Sequence, residues 1–121
     1  LARSRVSGWV QSAATGQWEA WSEDLTEIGN HGWTAAKLVE QFEPYFTAYP
    51  GVAFNEKIGI DGDARGPARF VVADDGDRWS IEQILVDPEG HDEWYLDVTV
   101  DLPASAEAGE IVARFEGLRR R

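Results

Sequence analysis

Cysteine is absent from this 121-residue chain, so disulfides and thiolate metal sites are excluded. Its absence is compatible with a reducing compartment, and a cytoplasmic location is expected. Apolar runs are short; none approaches the roughly 20 residues that a membrane span needs. The first five residues, Leu1 to Arg5, lead into an amphipathic stretch rather than an apolar one, so no signal peptide is expected. An initiating Met is also missing, which suggests a processed chain or a piece of a longer one. Basic residues are few, 11 against 22 acidic ones, for a formal net charge of -11. A surface of that sign repels phosphate backbones, so direct binding to duplex nucleic acid is not expected. Arg119, Arg120 and Arg121 close the chain and read as a solvated tail or a truncated linker, because a nucleic-acid footprint needs a broader basic face.

What the chain has in quantity is aromatic surface: six Trp, five Phe and three Tyr. A length of this order suits one domain with a real core, and residues 1–121 are read as one. Val6, Trp9, Val10, Ala13, Ala14, Trp18, Trp21, Leu25 and Ile28 recur at spacings of three and four, which predicts helix over about 3–28. Gly16 lies inside this pattern, where it costs about 1 kcal/mol relative to Ala and permits a bend or break. Gly29-Asn30-His31-Gly32 stops the helix. A second helix, about 34–49, starts at the N-cap Thr34, with Trp33 placed to staple onto Leu38. Pro44 should kink or loosen it, and Pro50-Gly51 ends it.

From residue 52 the period changes to two, which predicts a β-meander over about 52–118. A weak strand over 52–60 precedes a loop over 61–67. Further strands follow at 68–73, 78–87, 94–102 and 110–118. The Asp75-Gly76 turn, the Pro88-Glu89-Gly90 turn and a connection over 103–109 join them. The strand from Trp94 alternates without fault, which indicates one buried and one wet face. Helices followed by strands give an α+β fold, with the N-terminal helices on one face of a curved antiparallel sheet of four to five strands. By analogy such a sheet curls around its helices as in cystatin-like and NTF2-like folds.

Candidate chemistry is sparse. Asp61-Gly62-Asp63-Ala64-Arg65-Gly66 begins like a calcium loop, but Arg65 stands at the fifth position and Val72 at the twelfth, where a Glu is required. Asp74-Asp75-Gly76-Asp77 reads as a solvated turn. His31 and His91 have no second His at metal-ligand spacing. His91 is flanked by carboxylates, and such a pair in a pocket could do acid–base work; hydrogen bonding to a turn is the simpler role. Asp97, Thr99 and Asp101 line one polar face, which would serve a hydrolase only if the sheet cupped a cavity. There is no nucleophile elbow, dinucleotide fingerprint or phosphate loop, so no catalytic residue and no cofactor are assigned, and ATP turnover by the chain alone is not expected.

Several runs carry a family resemblance: Ala64-Arg65-Gly66-Pro67-Ala68, Trp79-Ser80-Ile81-Glu82-Gln83, Asp87-Pro88-Glu89-Gly90-His91-Asp92-Glu93-Trp94, and Val100-Asp101-Leu102 with Ala104-Ser105-Ala106-Glu107-Ala108-Gly109. In that order, with the helix from Trp33 to Tyr49, they resemble the uncharacterised C-terminal region of actinobacterial DEAD/DEAH-box helicases. The resemblance covers roughly residues 20–118. Glu93 before Trp94 departs from it, since the family favours a direct His-Asp-Trp run. It implies a non-catalytic accessory or protein-interaction module whose partner is a protein or the helicase core domains, with the ATP-binding residues elsewhere. The alternative is an NTF2-like small-molecule binder or enzyme, which would need a pocket between sheet and helices. Connections in a meander alternate between the two sheet ends, so the 61–67 loop and the 88–93 turn should share one end. That end would collect Arg65, Asp87, His91 and Asp92, with Arg65 ion-paired to Asp87 or Asp92; such a pair either merely pins the two loops together or marks a docking surface or pocket mouth.

Overall fold

The structure, a computed structural model, describes residues 2–49, 70–85, 89, 91, 93–109 and 112–121. The expected strand over 52–60 and the 61–67 loop lie outside the described residues. The predicted first helix is two helices, α1 (Ala2–Ala14) and α2 (Trp18–Glu27). Gly16 takes a left-handed φ of 72°, and the Gln17 N–H reaches back to the Ser12 carbonyl at 2.8 Å. That six-residue bond closes α1 in a Schellman motif. The same device ends α2: Gly29 has φ 85° and the Asn30 N–H bonds to the Leu25 carbonyl at 2.8 Å. The break does not disturb the apolar stripe, because Val6, Val10, Trp21 and Leu25 are all buried on the same core. Asp24 ties the two helices together, accepting from Trp9 Nε1 at 2.7 Å and from Arg5 Nη1 at 3.1 Å.

Helix α3 (Ala35–Ala48) begins as its sequence predicts, with Thr34 Oγ1 accepting from the Lys37 N–H at 3.2 Å. The helix runs through Pro44, which lies on its exposed side. Proline supplies no N–H, so the Glu40 carbonyl one turn back has no helical donor.

Strands β1 (Phe70–Asp74), β2 (Arg78–Ile84), β3 (Trp94–Asp101) and β4 (Ala113–Arg120) form an antiparallel sheet in sequence order. Among the described residues, four helices with this sheet make an α+β fold, as expected. The β1–β2 hairpin is closed by the Arg78 carbonyl accepting from the Asp75 N–H, with Gly76 at φ 88°. Residues 103–109, expected to be a plain connection, belong to a short helix, α4 (Leu102–Ala108). Asp101 caps it by accepting from the Ala104 N–H at 2.8 Å, Pro103 stands in its first turn, and Gly109 ends it at φ 73°. The Leu102 N–H bonds to the Asp77 carbonyl, which places α4 at the same sheet end as the Asp75-Gly76 turn, as the alternation of connections requires.

The last strand runs further than 118, so Arg119 and Arg120 belong to β4 rather than to a free tail, with their side chains still exposed. Register explains the error. Asp97 pairs with Gly117 but Val98 pairs with Phe115, leaving Glu116 as an extra residue. This bulge shifts the alternation by one, and Gly117 accommodates it with φ 148°.

Helices α1–α3 and the inner faces of β2–β4 enclose one aromatic core. Trp21 sits at its centre, with ring centroids of Phe115 at 4.9 Å, Phe42 at 5.8 Å, Trp18 at 6.2 Å and Trp9 at 6.3 Å. The space between helices and sheet, where a cupped fold would hold its ligand, is occupied by these rings together with Leu38, Tyr45, Ile81 and Leu96, all fully buried.

β4 is the last strand in the sheet order, so one of its edges faces away from β3. Side chains from the α2–α3 connection and from α3 cover it. Asn30 Oδ1 accepts from the Phe115 N–H at 2.7 Å, Trp33 Nε1 donates to the Phe115 carbonyl at 2.9 Å, and Gln41 Oε1 accepts from the Leu118 N–H at 3.0 Å. Free strand edges invite pairing with other chains; here three side chains meet that need internally.

Candidate functional site

Of the four residues the sequence groups at one sheet end, His91 is described, while Arg65, Asp87 and Asp92 lie outside the described residues. His91 is at the end opposite the Asp75-Gly76 turn, in the connection between β2 and β3. Its Nδ1 shares a hydrogen bond with the Tyr49 hydroxyl at 3.1 Å and lies 3.8 Å from Glu93 Oε1. Tyr49, the C-cap residue of α3, is buried, so this contact joins the end of the helix layer to the turn.

Glu93 is the hub of the cluster. Its Oε1 accepts from Arg120 Nη2 at 3.0 Å, and its main-chain carbonyl accepts from the Arg121 N–H at 2.7 Å. The hydrogen bond to Glu93, reinforced by charge attraction, raises the pKa of the Arg120 guanidinium above its usual value. The same guanidinium lies 5.3 Å from the ring centroid of Trp94, which packs edge-on against Tyr45 on its helix side. Arg119 bonds to Asp97 on the adjacent β3, and Arg121 reaches Glu82 on β2. Sequence reasoning missed Tyr49 and the three arginines as members of this end. The signal for the arginines was Gly117, since an isolated Gly within a strand pattern marks a bulge beyond which pairing resumes.

These groups are arranged to hold strands and helix together at a wet surface. His91 is half exposed, and the hydroxyl beside it belongs to Tyr49, whose side chain is buried at the end of α3. Asp97 and Thr99 face away from the helix layer, where they bond to Arg119 and Glu116, and Asp101 is spent on the α4 cap. They therefore do not converge on a substrate. Among the described residues no group of three His, Asp or Glu side chains is placed to hold a metal ion. Among the described residues, the buried polar ones are Asn30 and Gln83.

Two of the surface hollows among the described residues pair an indole with an arginine. One, about 490 Å³, lies between α1 and α2 and is lined by Arg5, Trp9, Trp21 and Asp24. Its polar wall is the Arg5–Asp24–Trp9 network, already satisfied within itself. The other, about 530 Å³, runs between α3 and the end of β4 and is lined by Glu40, Glu43, Pro44, Thr47, Trp94 and Arg120. Among the described residues no helix is long and apolar enough to cross a membrane.

Fold and site together define an α+β domain with an aromatic-filled interior and a paired, charged sheet end. The sequence model of a domain of unknown function, DUF3516, matches residues 1–118, so the chain belongs to that family. No curated protein and no solved structure matches it.

Proposed function

We propose that this chain is a non-catalytic accessory or protein-interaction module, acting on the core domains of a DEAD/DEAH-box helicase as its resemblance implies. The observation that carries this function is the filled interior. Trp21, Phe42, Tyr45 and Phe115 occupy the space in which an enzyme of similar layout would keep its ligand. What remains for function is the surface, where the net charge of -11 favours basic partners over nucleic acid. The resemblance supplies the partner class, and the lack of a phosphate loop assigns ATP turnover to other domains.

The test is a titration of the purified chain into the isolated helicase core of a DEAD/DEAH-box protein whose own C-terminal region resembles it, followed by calorimetry and by ATP turnover. The chain alone should hydrolyse no ATP, and it should bind the core with a measurable heat. Turnover by the chain itself, or no association with the core, would overturn the proposal.

A further inference from the structure

The sheet has two outer edges, and the chain treats them differently. At β4 the side chains of Asn30, Trp33 and Gln41 cover the edge. At β1 nothing comparable is found among the described residues. Successive residues of an antiparallel strand turn their main-chain groups to opposite sides. The Asp75 N–H bonds to the Arg78 carbonyl, and the register from there is unbroken as far as Phe70 and Gln83. Val71 and Ala73 therefore point their N–H and carbonyl groups at β2, while Val72 and Asp74 point theirs outward. Among the described residues neither Val72 nor Asp74 has a main-chain partner on that side.

The side chains of β1 are as open as its backbone. Val71 is 41% exposed and Val72 46%, the exposed large apolar residues among those described. They lie on opposite faces of the strand. Val72 stands opposite Ile81 on the helix side, and Val71 stands opposite Glu82 on the other. Phe70 to Ala73 carries no charge, no proline and no bulge, the devices by which edge strands avoid pairing. In a chain of net charge -11, this neutral stretch is where a surface of the same sign can approach closely.

We infer that β1 is the interface through which two copies of this chain pair, antiparallel, around a two-fold axis at Val72. A strand edge centred on an outward-pointing residue is its own complement. Val72 of each copy donates its N–H to the Val72 carbonyl of the other and accepts in return. On the helix side the two Val72 side chains meet each other. On the opposite side each Val71 meets the Ala73 of the other copy. One operation thus covers both exposed valines and pairs the outward main-chain groups. The contact is isologous and closes. Its eight strands, four from each copy, end at β4 on both sides, where the edge is already covered. Five residues a side make a small contact, so the dimer is weak and forms with rising concentration. The pairing does not depend on the helicase partner proposed above.

Sedimentation velocity of the whole chain tests it, from about 10 µM to about 1 mM and at about 0.5 M salt to screen the net charge. A monomer should convert to a dimer across that range. Amide exchange adds the register: the Val72 N–H should slow as concentration rises, while the Ala73 N–H, bonded to β2, is slow throughout. Val72→Lys should weaken dimerisation by about tenfold or more, because two like charges then meet at the axis. Val72→Glu should do the same, and an equimolar mixture of the two variants should dimerise again. Both substitutions fall on an exposed side chain and keep every hydrogen bond, so each variant should retain the circular dichroism of the parent. Val72→Lys also lowers the net negative charge, which separates its effect from bulk repulsion. Four results would each overturn the inference. They are a chain that stays monomeric at the highest concentration, a Val72 N–H already protected at the lowest, a dimer that survives both single variants, and a mixture that fails to re-form it.

Discussion

Asn30 Oδ1 accepts the main-chain N–H of Phe115 at 2.7 Å, joining residues 85 apart in sequence. Asn30 lies just past the end of α2, and Phe115 precedes the bulge in β4. The bond couples the helix layer to the sheet edge at a fully buried backbone group. Asn30→Ala would leave the Phe115 N–H unsatisfied, at a cost of about 1–3 kcal/mol. The expected result is a lower urea midpoint with faster hydrogen exchange at Phe115. An unchanged midpoint would mean that another acceptor takes over.

Trp94→Ala removes a large aromatic that contacts Tyr45 at 5.9 Å between centroids and supports Arg120. Truncation of a buried ring of this size typically costs about 3–5 kcal/mol. Urea midpoints for variant and parent decide it, and equal midpoints would show that the ring contributes no packing.

Gly117→Ala should destabilise for two reasons acting together. A φ of 148° is unfavourable for a residue with a Cβ, and the added methyl would stand 3.2 Å from Gln41 Oε1. Displacing Gln41 also threatens its bond to the Leu118 N–H. Backbone strain of this kind costs about 1–3 kcal/mol. A lowered melting temperature with unchanged far-ultraviolet circular dichroism is expected. A melting temperature equal to that of the parent would mean that the bulge relaxes freely.

Binding to duplex DNA should be weak or absent at about 0.15 M salt, because net charge opposes it and binding rests on phosphate contacts. The terminal arginines do not form a free basic patch, since Arg119, Arg120 and Arg121 are bonded to Asp97, Glu93 and Glu82. Fluorescence anisotropy showing sub-micromolar affinity under these conditions would refute the expectation and return attention to those three residues.

Local signals were enough for the elements whose cause is local. Thr34 caps α3 through its own hydroxyl, the alternation from Trp94 sets one face of β3 inward, and Asp75-Gly76 closes a hairpin. Each depends on neighbours a few residues away, so sequence by itself determined them, and with them the α+β class. The break at Gly16 was visible as a permitted event; the Schellman bond from Gln17 to Ser12 made it a real one. Helix α4 was overlooked although Asp101, Pro103 and Gly109 are ordinary cap signals, because seven residues are too few to show a helical period.

Only the tertiary structure decided the partners of β4 and of the sheet end. Asn30 looked like a residue of a helix stop, yet it is buried against a strand 85 positions away. The terminal arginines looked like a tail beyond the last strand, yet a one-residue bulge at Glu116 carries that strand on to Arg120 and brings Glu93 within reach of its side chain. Tyr49 and His91, 42 residues apart, meet because α3 lies across the sheet. Hydrogen bonds and ion pairs act over a few ångströms of space and carry no mark of their partner in the chain, so such pairs exist only once the helices and sheet have packed.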